Sequence, residues 1–353
     1  TIFFSVFMKQ ILFLMNVPES IMHNAYWYIQ ICVFGLVTVN FYNLLASIVR
    51  ALGDSKTPLY FLILASILNV FLALFFILKF GWGVPGSAIA VVLSQGFSAL
   101  LCIFYIKLKF PILHIKKEEW KFDFFHNNED REFAKLHLNV GLPTAVQFSV
   151  LGIGILIIQS VCNSFGSNVI AAFTAALRIE QIATMPMISF GIALAAFVAQ
   201  NFGAEKIKRI RQGVKRGSVI NIVLSIIMAI IMHYWGSHIV QLFIGNGNPD
   251  VIKIAHDYLW ISTLFYFFLG QIFIFRNSLQ GMGKPLIPLS SSFAELMVRS
   301  YSAGYLAVQY GYFGVFYAGP IAWVTASIVV TVGYFINIRK IIKKFIKSEN
   351  IKN

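Results

Sequence analysis

The chain has 353 residues, of which 58% are hydrophobic and 12% charged, with a formal net charge of +14 and a mean hydropathy of +0.76. That charge density is about half that of a soluble globular protein, so water is not its main solvent. The cations stand in tight clusters between apolar blocks, and no basic helix with interleaved aromatics is free for a nucleic acid, so nucleic-acid binding is excluded as a function.

Apolar blocks run over 1–16, 24–49, 57–79, 84–106, 136–163, 169–201, 217–244, 254–280, 286–309 and 313–337. Most reach the roughly 20 residues that a helix needs to cross about 30 Å of hydrocarbon. They lack the in-out alternation of an outer-membrane barrel, and a lipid-exposed strand would leave its edge unpaired. The expected fold is therefore an all-α polytopic membrane protein of about ten transmembrane helices. The first block opens at Thr1 without a charged leader or cleavage site, so the chain is expected to begin in the middle of a helix.

Turn signals separate the blocks, as at Val17-Pro18-Glu19-Ser20, Gly53-Asp54-Ser55-Lys56, Gly166-Ser167-Asn168 and Gly245-Asn246-Gly247-Asn248-Pro249. Positive charge falls in three clusters. One runs from Lys107 through Lys116, Lys117 and Lys121 to Lys135; a second holds Lys206, Lys208, Arg209, Arg211, Lys215 and Arg216; a third holds Arg339, Lys340, Lys343, Lys344 and Lys347. Even numbers of blocks separate the clusters, so all three return to one face. The positive-inside rule makes that face cytoplasmic in a multi-pass plasma-membrane protein. Membrane lipids are the expected neighbours of these cations.

The chain also repeats itself. A shift of 230 residues lays Gly53 on Gly283, Pro58 on Pro288, Gly81 on Gly311 and Asn69 on Arg299, and a nearby shift lays Tyr26 on Tyr258. The second copy is longer before its Tyr than the first, which predicts an intact form of about 450 residues with two bundles of six helices. The expected organisation is a partial N-terminal bundle at 1–110 lacking its first two helices and most of the third, then a cytoplasmic connecting loop at 111–132. A C-terminal six-helix bundle at 133–338 and a basic cytoplasmic tail at 339–353 complete it.

The segments RALGDSKTP, then Asn69, then GWGVPGSAIA, resemble the fourth to sixth helices of the multidrug and toxic compound extrusion (MATE) transporters. Gly141-Leu142-Pro143, IAAFTAALRIEQIATMPM and AQNFGAEKIKRIRQG are similar to the seventh and eighth helices of that family, and SLQGMGKPLIP with GYFGVFYAGPIAW to its last three. The resemblance implies twelve helices when intact, two lobes forming a V, and alternating access by rocking. It also implies antiport: efflux of bulky, often cationic organic compounds against inward H+ or Na+. The family's coupling acids are not matched, since Ala73, Leu151 and Leu269 stand at or near the relevant positions, and Val91 stands where a Thr is expected.

An ionisable group inside a bilayer costs at least about 2.5 kcal/mol near the centre, so each one asks for a reason. Glu295 and Arg299 lie four apart on one helical face and can pair, as a gate or as a structural lock. Glu180 and Gln181 can line a path for a cation or sit at a boundary bonded to backbone. Gln147 shares a face with Gln159 and Asn163, either toward a cavity or in interhelical hydrogen bonds. Asn40 and Asn43 in the second block, Asn69 in the third and Gln95 in the fourth complete the candidate substrate and ion path. Phe173, Phe190, Met185 and Met187 suit an adaptable pocket, though core and lipid claim most such residues. Pro143 and Pro186 are expected to kink their helices.

No catalytic constellation emerges, so an enzyme is not expected. The three cysteines (Cys32, Cys102, Cys162) lie in apolar stretches without ligand spacing, and neither a metal nor a cofactor is called for. The expected partners are small organic substrates, H+ or Na+ and lipids, with the protein acting as a monomer. Two alternatives stay open: a lipid-linked oligosaccharide flippase of related architecture, whose pyrophosphate site would draw on Arg178, Arg276 and Arg299, or a non-transporting fragment.

Overall fold

The computed structural model describes residues 2–14, 19–113, 127–245 and 248–352. Most of the expected 111–132 loop, with Lys116, Lys117 and Lys121, lies outside the described residues, as do Val17, Pro18, Asn246 and Gly247. The described residues form eleven α-helices and no strand, in two compact units, Thr1–Phe122 and Asp123–Asn353.

In the first unit, α1 (Ile2–Leu14), α2 (Glu19–Ala51), α3 (Lys56–Leu74) and α4 (Gly83–Lys109) follow the predicted blocks, and α3 ends in one π-helical turn over Phe75–Lys79. The second contains α5 (Asn128–Asn163), α6 (Ser167–Gly203), α7 (Ile207–Ile244), α8 (Pro249–Leu264), α9 (Tyr266–Gly281), α10 (Leu286–Tyr310) and α11 (Tyr312–Lys352). Seven helices are long and apolar enough to cross a membrane, or eight crossings if α8 and α9 count as one bent span. Neither α1, at 13 residues, nor α10, which carries Glu295 and Arg299, reaches that standard. The segment expected as a basic tail continues α11 as helix.

Local chemistry explains where the helices start and stop. Asn127 and Asn248 accept hydrogen bonds from the backbone N–H of Glu129 and Asp250, capping α5 and α8. Gly53 ends α2 with φ +97°, its N–H bonding to Arg50 O while that of Asp54 bonds to Val49 O. Gly283 ends α9 in the same way with φ +68°, bonding to Gln280 O while Lys284 bonds to Leu279 O. These paired bonds around a left-handed glycine are the Schellman arrangement, so glycines matched by the 230-residue shift hold one conformation. Asp54 then starts α3 by accepting from the N–H groups of Lys56 and Thr57 and the hydroxyls of Thr57 and Tyr105.

The block expected as one helix over 254–280 is two helices, bent by 54° at Phe265. There the chain adopts φ −107°, ψ 3°, and Phe265 N–H bonds back to Ser262 O. No proline or glycine marks the spot, so apolar continuity hides it.

Helices in lipid gain little by burying more apolar surface against each other, so small residues and polar contacts fix how they pack. On α7, Ser218, Asn221 and Ser225 recur at helical spacing on the face toward α9. Ser218 bonds Gln271, Asn221 donates to Gly270 O at 3.0 Å, and Ser225 donates to Tyr266 O at 3.0 Å. Val219, Ile220, Ile226 and Ile227 stand exposed elsewhere on α7, a surface suited to acyl chains. The main core of the second unit gathers Phe173, Met187, Tyr258, Tyr266 and Phe316, and α10 packs along α11 and α5.

Candidate functional site

The second unit buries two carboxylates in its helices, and they are held in opposite ways. Glu295 on α10 lies between two guanidiniums: Arg299 Nη2 is 2.5 Å from its Oε1, and Arg276 Nη2 on α9 is 3.2 Å from its Oε2. Arg276 also approaches Ser291 Oγ at 3.4 Å. All three charged residues are buried. Gly154 on α5 makes room for the cluster, since a Cβ there would meet Arg299 Nη1 at 3.2 Å and Cδ at 3.3 Å. The expected Glu295–Arg299 pair is present, and Arg276 turns it into a three-residue bridge joining two helices.

Glu180 on α6 is buried at 8% exposure and has a single polar partner, the Tyr258 hydroxyl, which donates to Oε2 at 2.6 Å. Its Oε1 is buried without a hydrogen-bond partner among the described residues. The Tyr266 hydroxyl, at the start of α9, is buried and without a hydrogen-bond partner among the described residues too. No salt bridge joins Arg299 to Glu180 among the described residues. On the same helix as the carboxylate, Phe173 meets Tyr258 edge to face at 5.2 Å and stacks on Phe316 at 6.4 Å. The break at Phe265 places Tyr258 and Tyr266 on separately directed helices, with Tyr258 against the acid.

The other candidates scatter. Gln147 is buried and accepts from Gln280 Nε2 at 3.1 Å, an interhelical bond between α5 and α9. Gln181 is exposed on α6. In the first unit Asn40 and Asn43 are exposed, Gln95 is half-buried, and Asn69 is half-buried with its Nδ2 lacking a partner. Gln159 and Asn163 bond to each other at 3.1 Å on the surface of α5. Phe173 and Met187 lie inside the core, Phe190 is half-buried and Met185 is exposed, so these four do not form one pocket wall. No group of three or more His, Cys, Asp or Glu suited to a metal occurs among the described residues.

Sequence reasoning missed Tyr258, Tyr266, Gln280 and Gly154 as site residues, and named Arg276 only for a pyrophosphate site, not as a partner of Glu295. Their partners lie on other helices, beyond the reach of spacing rules. The one signal for Tyr258 was its match to Tyr26 in the repeat.

A family model described as MatE matches residues 1–75 and 143–306. The chain belongs to the MATE family of transporters. It is similar to the "Probable multidrug resistance protein YpnP" of Bacillus subtilis, 33% identical over 290 residues, covering 82% of this chain and 62% of that protein. It is also similar to the "FAD transporter" of Shewanella oneidensis, 24% identical over 305 residues, covering 83% of this chain and 64% of that one. The chain thus spans less than two thirds of the length of these curated relatives. Among solved structures, a crystal structure of MATE in the bent conformation superposes with a TM-score of 0.86 at 21% identity, covering 97% of this chain and 75% of that one. An outward-facing multidrug resistance MATE family transporter gives a TM-score of 0.85 at 21% identity, over 96% and 75%. These likenesses establish the MATE fold.

Proposed function

We propose that this MATE protein carries out secondary active efflux of organic, often cationic, compounds by alternating access, driven by inward H+ or Na+, with Glu180 as the coupling carboxylate. The observation that carries the reading is the geometry of Glu180: a buried acid with one oxygen bonded to Tyr258 and the other free. A proton or a small cation can be taken up there without stranding a partner charge. Glu295 is held by two arginines and serves as the lock between α9 and α10, the structural option of the two that its spacing left open. What favours antiport over a pyrophosphate-binding flippase is the state of the intramembrane arginines, since Arg276 and Arg299 are committed to Glu295 and Arg178 is exposed on α6.

The protein is further proposed to work as a monomer in the plasma membrane, with its basic segments and C-terminus cytoplasmic; charge clustering supports that orientation. The test is reconstitution into vesicles with an imposed proton or sodium gradient and a fluorescent organic cation. Gradient-driven export by the unaltered protein, lost in Glu180→Gln, is the expected result. Equal gradient-driven export by the variant would remove Glu180 from coupling, and flipping of a lipid-linked sugar without cation export would favour the flippase.

A further inference from the structure

A cavity of about 820 Å³ opens where α7, α9 and α11 meet, on helices that contribute neither Glu180 nor Glu295. Lys208, Arg211 and Lys215 from α7 and Arg339 from α11 converge on it, while Phe275 and Tyr334 supply part of an apolar lining. The three α7 cations recur at i, i+3 and i+7, so one helical face carries them all. Not one acid lines the cavity, and none of the four cations forms a salt bridge among the described residues. Tyr334 and Arg211 line the same cavity.

Converging cations without counter-charge repel one another, and a bound anion relieves that repulsion. Two further features define the anion. The cavity exceeds what a phosphate alone would fill, and much of its lining is apolar. It also adjoins a second basic hollow on α7 that shares Gln212 and Lys215 and continues onto the apolar Val219 and Ile220, which stand 53% and 44% exposed. A soluble anion has no use for that apolar continuation, whereas a phospholipid has both parts.

We propose that this cavity binds one anionic phospholipid, its headgroup phosphate on Lys208, Arg211, Lys215 and Arg339 and its glycerol and upper acyl chains against Phe275 and Tyr334. The arrangement goes beyond a general preference of basic loops for anionic membranes, because it assigns a single site with a defined occupant. It does not depend on the coupling role of Glu180.

The test uses the purified full chain in a neutral detergent, with phosphatidylglycerol, phosphatidylcholine or inorganic phosphate added, read by native mass spectrometry and thermal midpoint. One retained phosphatidylglycerol and a raised midpoint are expected, with no comparable effect of phosphatidylcholine or of phosphate. Arg211→Gln with Arg339→Gln should weaken retention roughly tenfold or more, given what each near-surface cation contributes to anionic-lipid binding. Lys340→Gln with Lys343→Gln removes the same charge from α11 residues that do not line the cavity, and should change retention less than about twofold. Equal weakening by the two pairs would overturn the site in favour of diffuse attraction. Equal stabilisation by inorganic phosphate, or by phosphatidylcholine, would overturn the assignment to an anionic lipid. Should the first pair fail to fold, Arg211→Lys with Arg339→Lys keeps the charge and must retain the lipid, and Lys208→Gln alone must weaken it at least about threefold.

Discussion

Neutralising the two buried carboxylates of the second unit should have opposite consequences. Glu295→Gln leaves Arg276 and Arg299 buried side by side with no counter-charge, because Glu295 is the acid paired to both. Removing one partner of a buried ion pair costs about 3–5 kcal/mol. For a unit of about 230 residues, an unfolding entropy of about 2.1 cal/mol/K per residue converts each 1 kcal/mol into roughly 2 °C, so the midpoint should fall by about 6–10 °C. Helices that persist after unfolding in detergent lower that entropy, which makes the figure a minimum. Glu180→Gln strands no cation, and its amide oxygen can still accept from Tyr258, so its midpoint should move by less than about 2 °C. Thermal unfolding followed by size exclusion in one detergent compares both variants directly. A further triple change, Arg276→Met, Glu295→Leu and Arg299→Met, should recover most of the loss, since apolar side chains of similar volume replace buried ion clusters at little cost. A drop of less than about 2 °C for Glu295→Gln, or an equal drop for Glu180→Gln, would refute the contrast between lock and free acid.

Gly154→Leu should destabilise by about 1–3 kcal/mol by displacing the Arg299 guanidinium, while Gly154→Ala, which asks Arg299 to give by only a few tenths of an ångström, should cost under about 1 kcal/mol; thermal midpoints separate the two. Glu205 ends the turn after α6 with φ +58°, so Glu205→Gly should stabilise by about 1 kcal/mol in the same assay. The Tyr105 hydroxyl, then Thr57 and the backbone, hold the exposed Asp54 carboxyl well below the ordinary carboxylate range. A carboxyl lowered in the folded state stabilises above its unfolded pKa of about 3.9 and loses that contribution as pH falls below it. Asp54→Asn should therefore lower the midpoint at neutral pH, with the difference narrowing as pH approaches 3.

Much of the fold was legible because transfer of a peptide chain into hydrocarbon leaves a long apolar run as its trace. The start of α8 at Pro249 and the ends of α2 and α9 at Gly53 and Gly283 could be read from residues that only certain backbone conformations favour. The division of 254–280 into α8 and α9 could not, because Phe265 has the same side-chain chemistry as its helical neighbours and the break is set by tertiary packing. The site divides along the same line. Glu295 and Arg299 announce themselves four residues apart on one helix. Arg276 sits 19 positions from Glu295, and Tyr258 sits 78 from Glu180, so no periodicity joins them. Asn40 and Asn43, polar residues at helical spacing inside an apolar block, stand exposed on α2.

The coupling proposal turns on whether Tyr258 and Glu180 interact as closely as 2.6 Å implies. A hydrogen bond to a charged, desolvated acceptor contributes about 1.5–3 kcal/mol, more than one between neutral groups. Tyr258→Phe should therefore cost that much in the unaltered protein and clearly less once Glu180 is already Gln. Thermal midpoints of the four members of the cycle give the coupling energy, which should exceed about 1 kcal/mol. Ring packing cannot imitate the effect, because phenylalanine keeps the edge-to-face contact with Phe173 and cancels in the cycle. A coupling energy below about 0.5 kcal/mol would mean that the hydroxyl does not hold the acid in place. Glu180 would then lose the fixed geometry that makes one oxygen available while the other is held.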